Sequence, residues 1–180
     1  MARKVLYCGP VPQEGDYIGG IACIFRDYMQ NAHLFSENGV EVFFQNSLID
    51  GAGNKLGRTS KKTVLQGFFS GRYISRVAHE NDIDCVHLNS SRGWALLRDL
   101  FVARSIKRRT DAFVCLSIHY AGLEDIIPCG VRGWLIRHLL RNIDNVIFLS
   151  RETMEQFVQN RIVASHSCSV LYTFYSNDPV

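Results

Sequence analysis

The stretch Asn145-Val146-Ile147-Phe148-Leu149-Ser150 places four consecutive apolar residues between two polar ones. Successive side chains of a β-strand point to opposite faces, so a strand built from this stretch is apolar on both faces. Strands of that kind occur in parallel sheets that helices cover on both sides. The stretch therefore predicts a buried parallel strand in an α/β domain.

Five more short apolar runs, rich in β-branched and aromatic residues, are spaced along the chain. The runs predict six strands, at residues 4–8, 40–45, 84–89, 112–119, 145–150 and 169–174. A first helix is predicted from residues that share one face, ending at a glycine: Ile21, Phe25, Tyr28, Ala32, Phe35 and then Gly39. Further helices are predicted at residues 62–80, 94–108, 131–142 and 151–160. This alternation predicts a doubly wound, mostly parallel sheet in a single domain, residues 1–180.

Length and charge limit the classes of function. A chain of 180 residues with 47% hydrophobic residues can bury one α/β core, whereas two domains would be small. The 20 basic and 17 acidic residues give a formal net charge of +3. So small an excess is not typical of a nucleic-acid-binding protein, and no recognition motif accompanies it. We therefore expect no nucleic-acid partner.

The cysteines and the first residues indicate a cellular compartment. Six cysteines are scattered without a C-x-x-C pair, which indicates neither a zinc site nor a disulfide framework. Buried free thiols suit a reducing compartment. The first residues lack the apolar core of a signal peptide, and no stretch has about 18 uninterrupted apolar residues. The sequence therefore predicts a cytoplasmic protein.

Two glycines follow the first predicted strand. In open parallel sheets, ligands bind beyond the carboxyl ends of the strands, and Gly19 and Gly20 stand there at the start of the first helix. Exposed N–H groups and the helix dipole at this point favour a phosphate, although an ordinary flexible turn explains the two glycines about as well. The glycines do not form a G-x-G-x-x-G pattern, which disfavours a nicotinamide enzyme.

The loop after the third strand is rich in hydrogen-bonding groups: Asn89, Ser90, Ser91 and Arg92. Their amide, hydroxyl and guanidinium groups suit a polyol or a phosphate. One of the two serines is also a candidate N-cap for the following helix. His87, inside the strand, is more readily explained as a core histidine than as a catalyst.

His119 ends the fourth strand and is the strongest single candidate for a catalytic residue. A histidine there can donate a hydrogen bond or transfer a proton, although a structural role is the commoner one. Glu124 and Asp125 follow shortly after it. These acids suit contact with sugar hydroxyls, or they form a solvated loop.

Basic residues are concentrated on two of the predicted helices. Each helix has one set on a single face: Arg104, Lys107 and Arg108 on one, and Trp134, Arg137 and Arg141 on the other. An aromatic residue among arginines on an amphipathic helix suits an anionic membrane surface. A solvated outer face of the domain explains the same pattern.

The order of these segments resembles the N-terminal domain of GT-B-fold glycosyltransferases of the glycogen-synthase-like, retaining family. The resemblance covers nearly the whole chain and is carried by residues 4–7 with 19–22, 82–91, 117–119 and 143–152. Residues 82–91 are similar to the family's D-x-V-H-x-H strand, and residues 143–152 to its a-D-x-v-i-x-l-S-e segment. The chain departs from the family at Asn89, where the second histidine usually stands, and in residues 170–175, which lack P-N-G.

The resemblance implies a Rossmann-like domain, the acceptor-side half of a GT-B enzyme, with the donor-binding domain outside this chain. Such an enzyme moves a sugar from a nucleotide-sugar donor to a glycan or lipid-linked acceptor in polysaccharide or glycolipid synthesis, without metal or other cofactor. Gly19 and Gly20 would approach the donor phosphate, and His119 would lie near the reacting sugar. The acceptor-binding residues would be Asn89, Ser90, Ser91, Arg92 and Glu124.

The resemblance also bears on the two basic helix faces. Members of the family often act on lipid-linked acceptors, so these faces are expected to dock the domain peripherally on the inner face of the plasma membrane. The alternative is a noncatalytic subunit that docks to the acceptor or the membrane and pairs with a separate donor-binding chain. In either case the isolated 180-residue domain is expected to be inactive.

Overall fold

The structure is a computed structural model that describes residues 2–11, 20–46, 61–120 and 122–172. Strands and helices alternate in these ranges, as predicted. The strands are β1 (Arg3–Gly9), β2 (Val40–Asn46), β3 (Cys85–Ser90), β4 (Phe113–Ile118), β5 (Asn145–Phe148) and β6 (Cys168–Val170). The helices are α1 (Gly20–Gln30), α2 (Ala32–Glu37), α3 (Lys61–Glu80), α4 (Trp94–Lys107), α5 (Leu123–Ile126), α6 (Val131–Leu140) and α7 (Arg151–Gln159), and a 3-10 turn at Ser165–Ser167 precedes β6.

All six strands belong to one sheet in the order β2-β1-β3-β4-β5-β6, and every neighbouring pair is parallel. This sheet confirms the predicted α/β, Rossmann-like fold. Because the strands are parallel, their carboxyl ends meet along one side, which we call the carboxyl edge. Gly9, Ser90, Ile118 and Phe148 end their strands there.

The larger core lies on the face of the sheet that carries Leu88. Side chains of registered residues on parallel neighbours point the same way, so this face collects alternate residues from each strand. The buried members of this core include Leu6, Val86, Leu88, Leu116, Val146 and Phe148 from strands and Ile74, Leu100, Ile136 and Phe157 from helices. Burying an apolar side chain of this size stabilises the fold by about 1.5–3 kcal/mol. Most of the apolar stabilisation therefore comes from this face.

Helix α1 covers the opposite face at β1 and β2. Tyr7 contacts Phe25, Tyr28 and Phe44, with ring centroids 5.3, 5.0 and 6.1 Å away. Gly9 allows this close packing, since a Cβ at that position would lie 2.5 Å from Cδ2 of Phe25. The first glycine after the apolar strand is therefore a packing requirement.

The same face stays partly open at β3, β4 and β5. Cys85, Cys115 and Ile147 are half-buried there, and the side chain of Phe113 is 48% exposed. Among the described residues, the predicted cover on both sides of residues 145–150 is thus complete on one side only. The sheet has a fully packed face and a second face that α1 covers in part.

The first predicted helix is divided in two. Asn31 separates α1 from α2, and its Nδ2 donates to the carbonyl oxygen of Asp27 at 2.8 Å. Gly39, with φ of +73°, then turns the chain into β2 as expected. The other predicted helices begin within one residue and end within two residues of their predicted bounds. Residues 173 and 174 of the predicted sixth strand lie outside the described ranges. None of the described helices has the length and apolar character needed to cross a bilayer.

Candidate functional site

The side-chain amide of Asn89 connects three strands at the carboxyl edge. Asn89 is 3% exposed. Its Nδ2 donates to the backbone carbonyl oxygen of Cys8 at 3.1 Å, and its Oδ1 accepts from the Tyr7 hydroxyl at 3.1 Å. Nε2 of His119 lies 2.9 Å from the same Oδ1. We call these four residues the Asn89 network.

The Asn89 network determines the tautomer of neutral His119. The carbonyl of Cys8 can only accept, so the amide nitrogen of Asn89 faces it and the amide oxygen faces His119. That oxygen can only accept as well, and the imidazole therefore carries its hydrogen on Nε2. Nδ1 keeps its lone pair, and no described residue donates a hydrogen bond to it.

The imidazole of His119 is uncharged at neutral pH. Burial lowers its pKa to about 4, because the charged form is poorly solvated there. Its backbone N–H donates to the carbonyl oxygen of Ser90 at 2.8 Å, which continues the contact between β3 and β4 beyond Ile118. His119 is therefore a fixed, neutral hydrogen-bond acceptor through Nδ1.

His87 occupies the interior of β3. Its Nε2 lies 2.7 Å from the hydroxyl of Ser117, and its ring packs edge-on against Tyr7 with centroids 4.8 Å apart. Desolvation, and to a smaller extent the nearby His119, lowers the pKa of His87 to about 4. This geometry agrees with the interpretation of His87 as a core histidine.

The four polar residues after His87 and Leu88 differ in accessibility. Asn89 and Ser90 are buried, Ser91 is half-buried and Arg92 is exposed. The amide of Asn89 is occupied by its network, and Oγ of Ser90 has no hydrogen-bond partner among the described residues. Gly93 is the N-cap of α4, so neither serine caps that helix. Of these four residues, only Ser91 and Arg92 reach the surface of the carboxyl edge.

Arg92 contacts Tyr120 across the loops that follow β3 and β4. Nη1 of Arg92 donates to the Tyr120 hydroxyl, and its guanidinium carbon lies 4.4 Å from the centroid of the ring. This contact links the loops that follow β3 and β4. Sequence reasoning missed both Tyr120 and Tyr7. The signal for Tyr7 is a phenol inside an apolar strand, since a buried hydroxyl needs a partner.

The glycine pair is described in part. Gly20 is exposed and begins α1, a helix of 11 residues, and a Cβ there would have no heavy atom within 4 Å. The first N–H groups of this helix lie on the side of the carboxyl edge, where β1 ends. Gly19 and the side chain of Glu124 lie outside the described part of the chain.

The predicted aromatic and basic face of α6 is exposed. Trp134 is 64% exposed, and its ring stacks on His138 with centroids 5.6 Å and planes 8° apart. Arg137 and Arg141 are exposed on the same helix side, away from the buried Ile136. The apolar and polar sides of this helix are those that the spacing predicts.

The basic face of α4 is partly used within the fold. Nζ of Lys107 lies 3.0 Å from Oδ2 of Asp144, and the same carboxylate accepts from the backbone N–H of Val114 at 2.7 Å. Arg104 is half-buried and Arg108 is exposed. Lys107 therefore has a partner inside the domain as well as a position on the candidate docking face.

A buried ion pair on α4 was not expected from the sequence. Nε of Arg98 lies 2.7 Å from Oδ1 of Asp99, and both residues are buried. Burial, followed by the charge of Asp99, raises the pKa of the Cys8 thiol. A helix with charged residues at adjacent positions normally exposes one of them, so the sequence carries no signal for this pair.

The described ranges contain no group of three or more His, Cys, Asp or Glu side chains arranged to hold a metal ion. The fold and the site define the chain as a Rossmann-like α/β domain with a polar carboxyl edge and a neutral histidine at that edge. No protein-family model and no curated protein matches the sequence.

Two of the solved structures that are similar to this chain are each 12% identical to it in sequence. MurG of Acinetobacter baumannii aligns over 93% of this chain and 45% of its own, with a TM-score of 0.43. The endo-beta-N-acetylglucosaminidase of Cordyceps militaris in its apo form aligns over 98% of this chain and 59% of its own, with a TM-score of 0.49. The chain thus spans about half the length of these structures. Likenesses this distant carry no argument about function, and the fold assignment rests on the sheet itself.

Proposed function

We propose that the chain is the acceptor-side domain of a glycosyltransferase that moves a sugar from a nucleotide-sugar donor to a glycan or lipid-linked acceptor. The family resemblance suggests this activity, and with it retention at the anomeric carbon and a role in polysaccharide or glycolipid synthesis. The observation that supports it best is the geometry of His119 at the carboxyl edge: Nε2 is held by Asn89, and Nδ1 keeps its lone pair. The donor-binding domain would come from another part of the enzyme.

His119 would act on the acceptor hydroxyl through Nδ1. A neutral imidazole of low pKa is a weak base, so it orients the hydroxyl by accepting its hydrogen bond and takes up the proton as the bond to the sugar forms. The hydrogen on Nε2 of His119 stays hydrogen-bonded to Oδ1 of Asn89 throughout. Asn89 and Tyr7 would then be positioning residues, which act through the tautomer and orientation of His119.

Substrate contacts would lie on both sides of His119. Ser91 and Arg92 reach the surface and would bind hydroxyl or phosphate groups of the acceptor, with Glu124 as a further candidate. Gly20, together with Gly19, would let the donor phosphate approach the first N–H groups of α1. Such dipoles and cations stabilise a leaving diphosphate without a metal ion or cofactor.

The test joins this domain to its donor-binding half, in one polypeptide or as a mixture with a candidate subunit, and measures transfer from a panel of nucleotide sugars. His119→Ala is expected to lower kcat by about 10²–10⁴-fold, the range for loss of a general acid–base group. His33→Ala, in the exposed part of α2, is the matched control. Equal turnover in the two variants would show that His119 does not take part in the reaction.

A second candidate function is a noncatalytic subunit that docks to an anionic membrane through α6. It is favoured by one observation, the exposure of two apolar side chains beside arginines: Val131 is 81% exposed and Trp134 is 64% exposed. Arg137 and Arg141 follow on the same helix, and such a face combines apolar insertion with attraction to anionic lipid. Arg104, Lys107 and Arg108 of α4 would extend the basic surface.

Vesicle sedimentation separates the two functions. The docking function predicts binding to vesicles with anionic lipid, and its loss when Arg137 and Arg141 are changed together to glutamine. Arg151→Gln, on the exposed start of α7, is the control for a general charge effect. Under this function, complementation in cells is lost in the double arginine variant and kept in His119→Ala, whereas the transferase function predicts loss in His119→Ala.

A further inference from the structure

One edge of the sheet lacks the features that normally keep a strand from pairing with another chain. β2 ends the strand order on one side and is seven residues long, with the sequence Val-Glu-Val-Phe-Phe-Gln-Asn. It contains no lysine, arginine or proline, and its register with β1 runs through all seven residues without a bulge. Short length, lysine, proline and bulges are the usual protections of an edge strand. β6, at the opposite edge, has three residues, so only β2 is a long unprotected edge.

The outer backbone groups of β2 are available for pairing. The N–H and C=O groups of a strand point to its two sides, and β1 bonds to those on the inner side. In the part of the chain that the structure describes, no hydrogen bond reaches the outer backbone groups of residues 41–45. Helix α2 contacts β2, and its Leu34 is 48% exposed, which adds apolar surface beside the strand.

The sequence of β2 is complementary to itself in the antiparallel direction. A two-fold axis at Phe43 uses all seven residues and places Glu41 opposite Gln45 of the second copy. This pair joins a carboxylate to an amide that can donate to it. The same axis places Val42 opposite Phe44 of the second copy, and β-branched and aromatic residues form favourable cross-strand pairs. An axis at Glu41 would oppose two carboxylates, and an axis at Val42 or Phe44 would pair only five residues.

We propose that β2 pairs with β2 of a second copy of this chain, antiparallel about a two-fold axis at Phe43. The homodimer then has one continuous sheet, with six strands from each copy. Glu41, the single charge on the strand, sets the register. The contact goes beyond the proposed transferase activity, because His119 follows β4, three strands away from β2, and stays outside the interface.

Sedimentation equilibrium of the full chain over a range of concentrations tests this pairing. The unsubstituted chain is expected to form dimers of weak affinity, since one strand pair is a small interface. Gln45→Glu places a carboxylate opposite Glu41 at two symmetry-related positions, and it is expected to weaken the dimer about fivefold or more at low salt. Adding Glu41→Gln to this variant removes the repulsion and restores the dimer. Gln159→Glu, at the exposed end of α7, is the matched control and leaves the affinity unchanged.

Hydrogen exchange of the unsubstituted chain tests the same contact without a mutation. The outward-pointing amides of residues 41–45 should exchange more slowly as the protein concentration rises. Three results would overturn the proposal. The first is a chain that stays monomeric up to about 1 mM. The second is a dimer in which residues 41–45 gain no protection, and the third is an affinity that Gln45→Glu, shown to be folded by circular dichroism, leaves unchanged. None of these results depends on whether the domain serves in sugar transfer.

Discussion

Oδ1 of Asn89 lies 2.9 Å from Nε2 of His119, and this single contact determines which ring nitrogen of the histidine can act on a ligand. The amide cannot reverse, because its nitrogen is held by the carbonyl of Cys8. The sequence predicts Asn89 as an acceptor-binding residue, and the structure gives its side chain a second role. From its buried position, Asn89 orients His119, the strongest candidate for a catalytic residue.

Replacing Asn89 by aspartate should raise the pKa of His119 while preserving the side-chain shape. A carboxylate stabilises an adjacent imidazolium and typically shifts a pKa by about 1–3 units, so the pKa of His119 should rise by at least about one unit from its value near 4. Nitrogen-15 NMR of the imidazole measures both the pKa and the tautomer. The unsubstituted protein should show hydrogen on Nε2. A signal for hydrogen on Nδ1 would contradict the network.

Acid should destabilise the fold through His87. Its pKa is about 4 in the folded chain and 6.5 in the unfolded chain, so between these values only the unfolded chain binds the proton. The stabilisation is complete above pH 6.5 and is lost as the pH falls towards 4, at a cost of about 3 kcal/mol. Urea unfolding at several pH values should show that His87→Gln loses less stability than the unsubstituted protein as the pH falls. His166→Gln, a histidine substitution at an exposed site, is the matched control.

Gly9→Ala should lower the thermal stability of the domain. The new Cβ would meet the ring of the fully buried Phe25, and overpacking of this kind costs about 1–3 kcal/mol. Gly20→Ala is the matched control, because its Cβ enters open space. Calorimetry should show a lower Tm for the first variant alone. Equal Tm values would mean that α1 does not pack closely against β1 at Gly9.

Asp144 should stabilise the fold chiefly through the backbone of β4. Asp144→Asn keeps an acceptor for the N–H of Val114 and loses only a surface ion pair with Lys107, which is worth about 0–1 kcal/mol. Asp144→Ala leaves that N–H without its acceptor, at a cost of about 1–3 kcal/mol. Chemical denaturation should show a much lower free energy of unfolding for Asp144→Ala than for Asp144→Asn. A Lys107→Met variant as unstable as Asp144→Ala would show that the ion pair is the larger contribution.

The strands and helices were predictable because their signals are local. Apolar runs and helical spacing are properties of neighbouring residues, and all six strands and the principal helices follow from them. Two acids of the family-like segments illustrate the same point. Asp84 and Asp144 precede β3 and β5, and each carboxylate accepts from a backbone N–H of the preceding strand in the sheet. Their pattern in the sequence is the signature of strand starts.

The site was predictable only in part because it is assembled over long sequence distances. Position at a strand end marks His119, but its partners Tyr7 and Asn89 come from two other strands. The hydrogen bonds of Asn89 come from β1 and from the end of β4, which no local pattern reports. The open part of the second face was also missed, since Ile147 in an apolar run is indistinguishable from a fully buried residue.

The place of β1 between β2 and β3 has a consequence for synthesis on the ribosome. β1 is translated before the other strands of this sheet, yet one of its two neighbours is β3, and Asn89 links it onward to His119. Until these later segments have been translated, Tyr7 and the apolar side of β1 have no complete set of partners. Nascent chains that end before β3 therefore present β1 with one of its two neighbouring strands missing, and they are the species on which a chaperone would act.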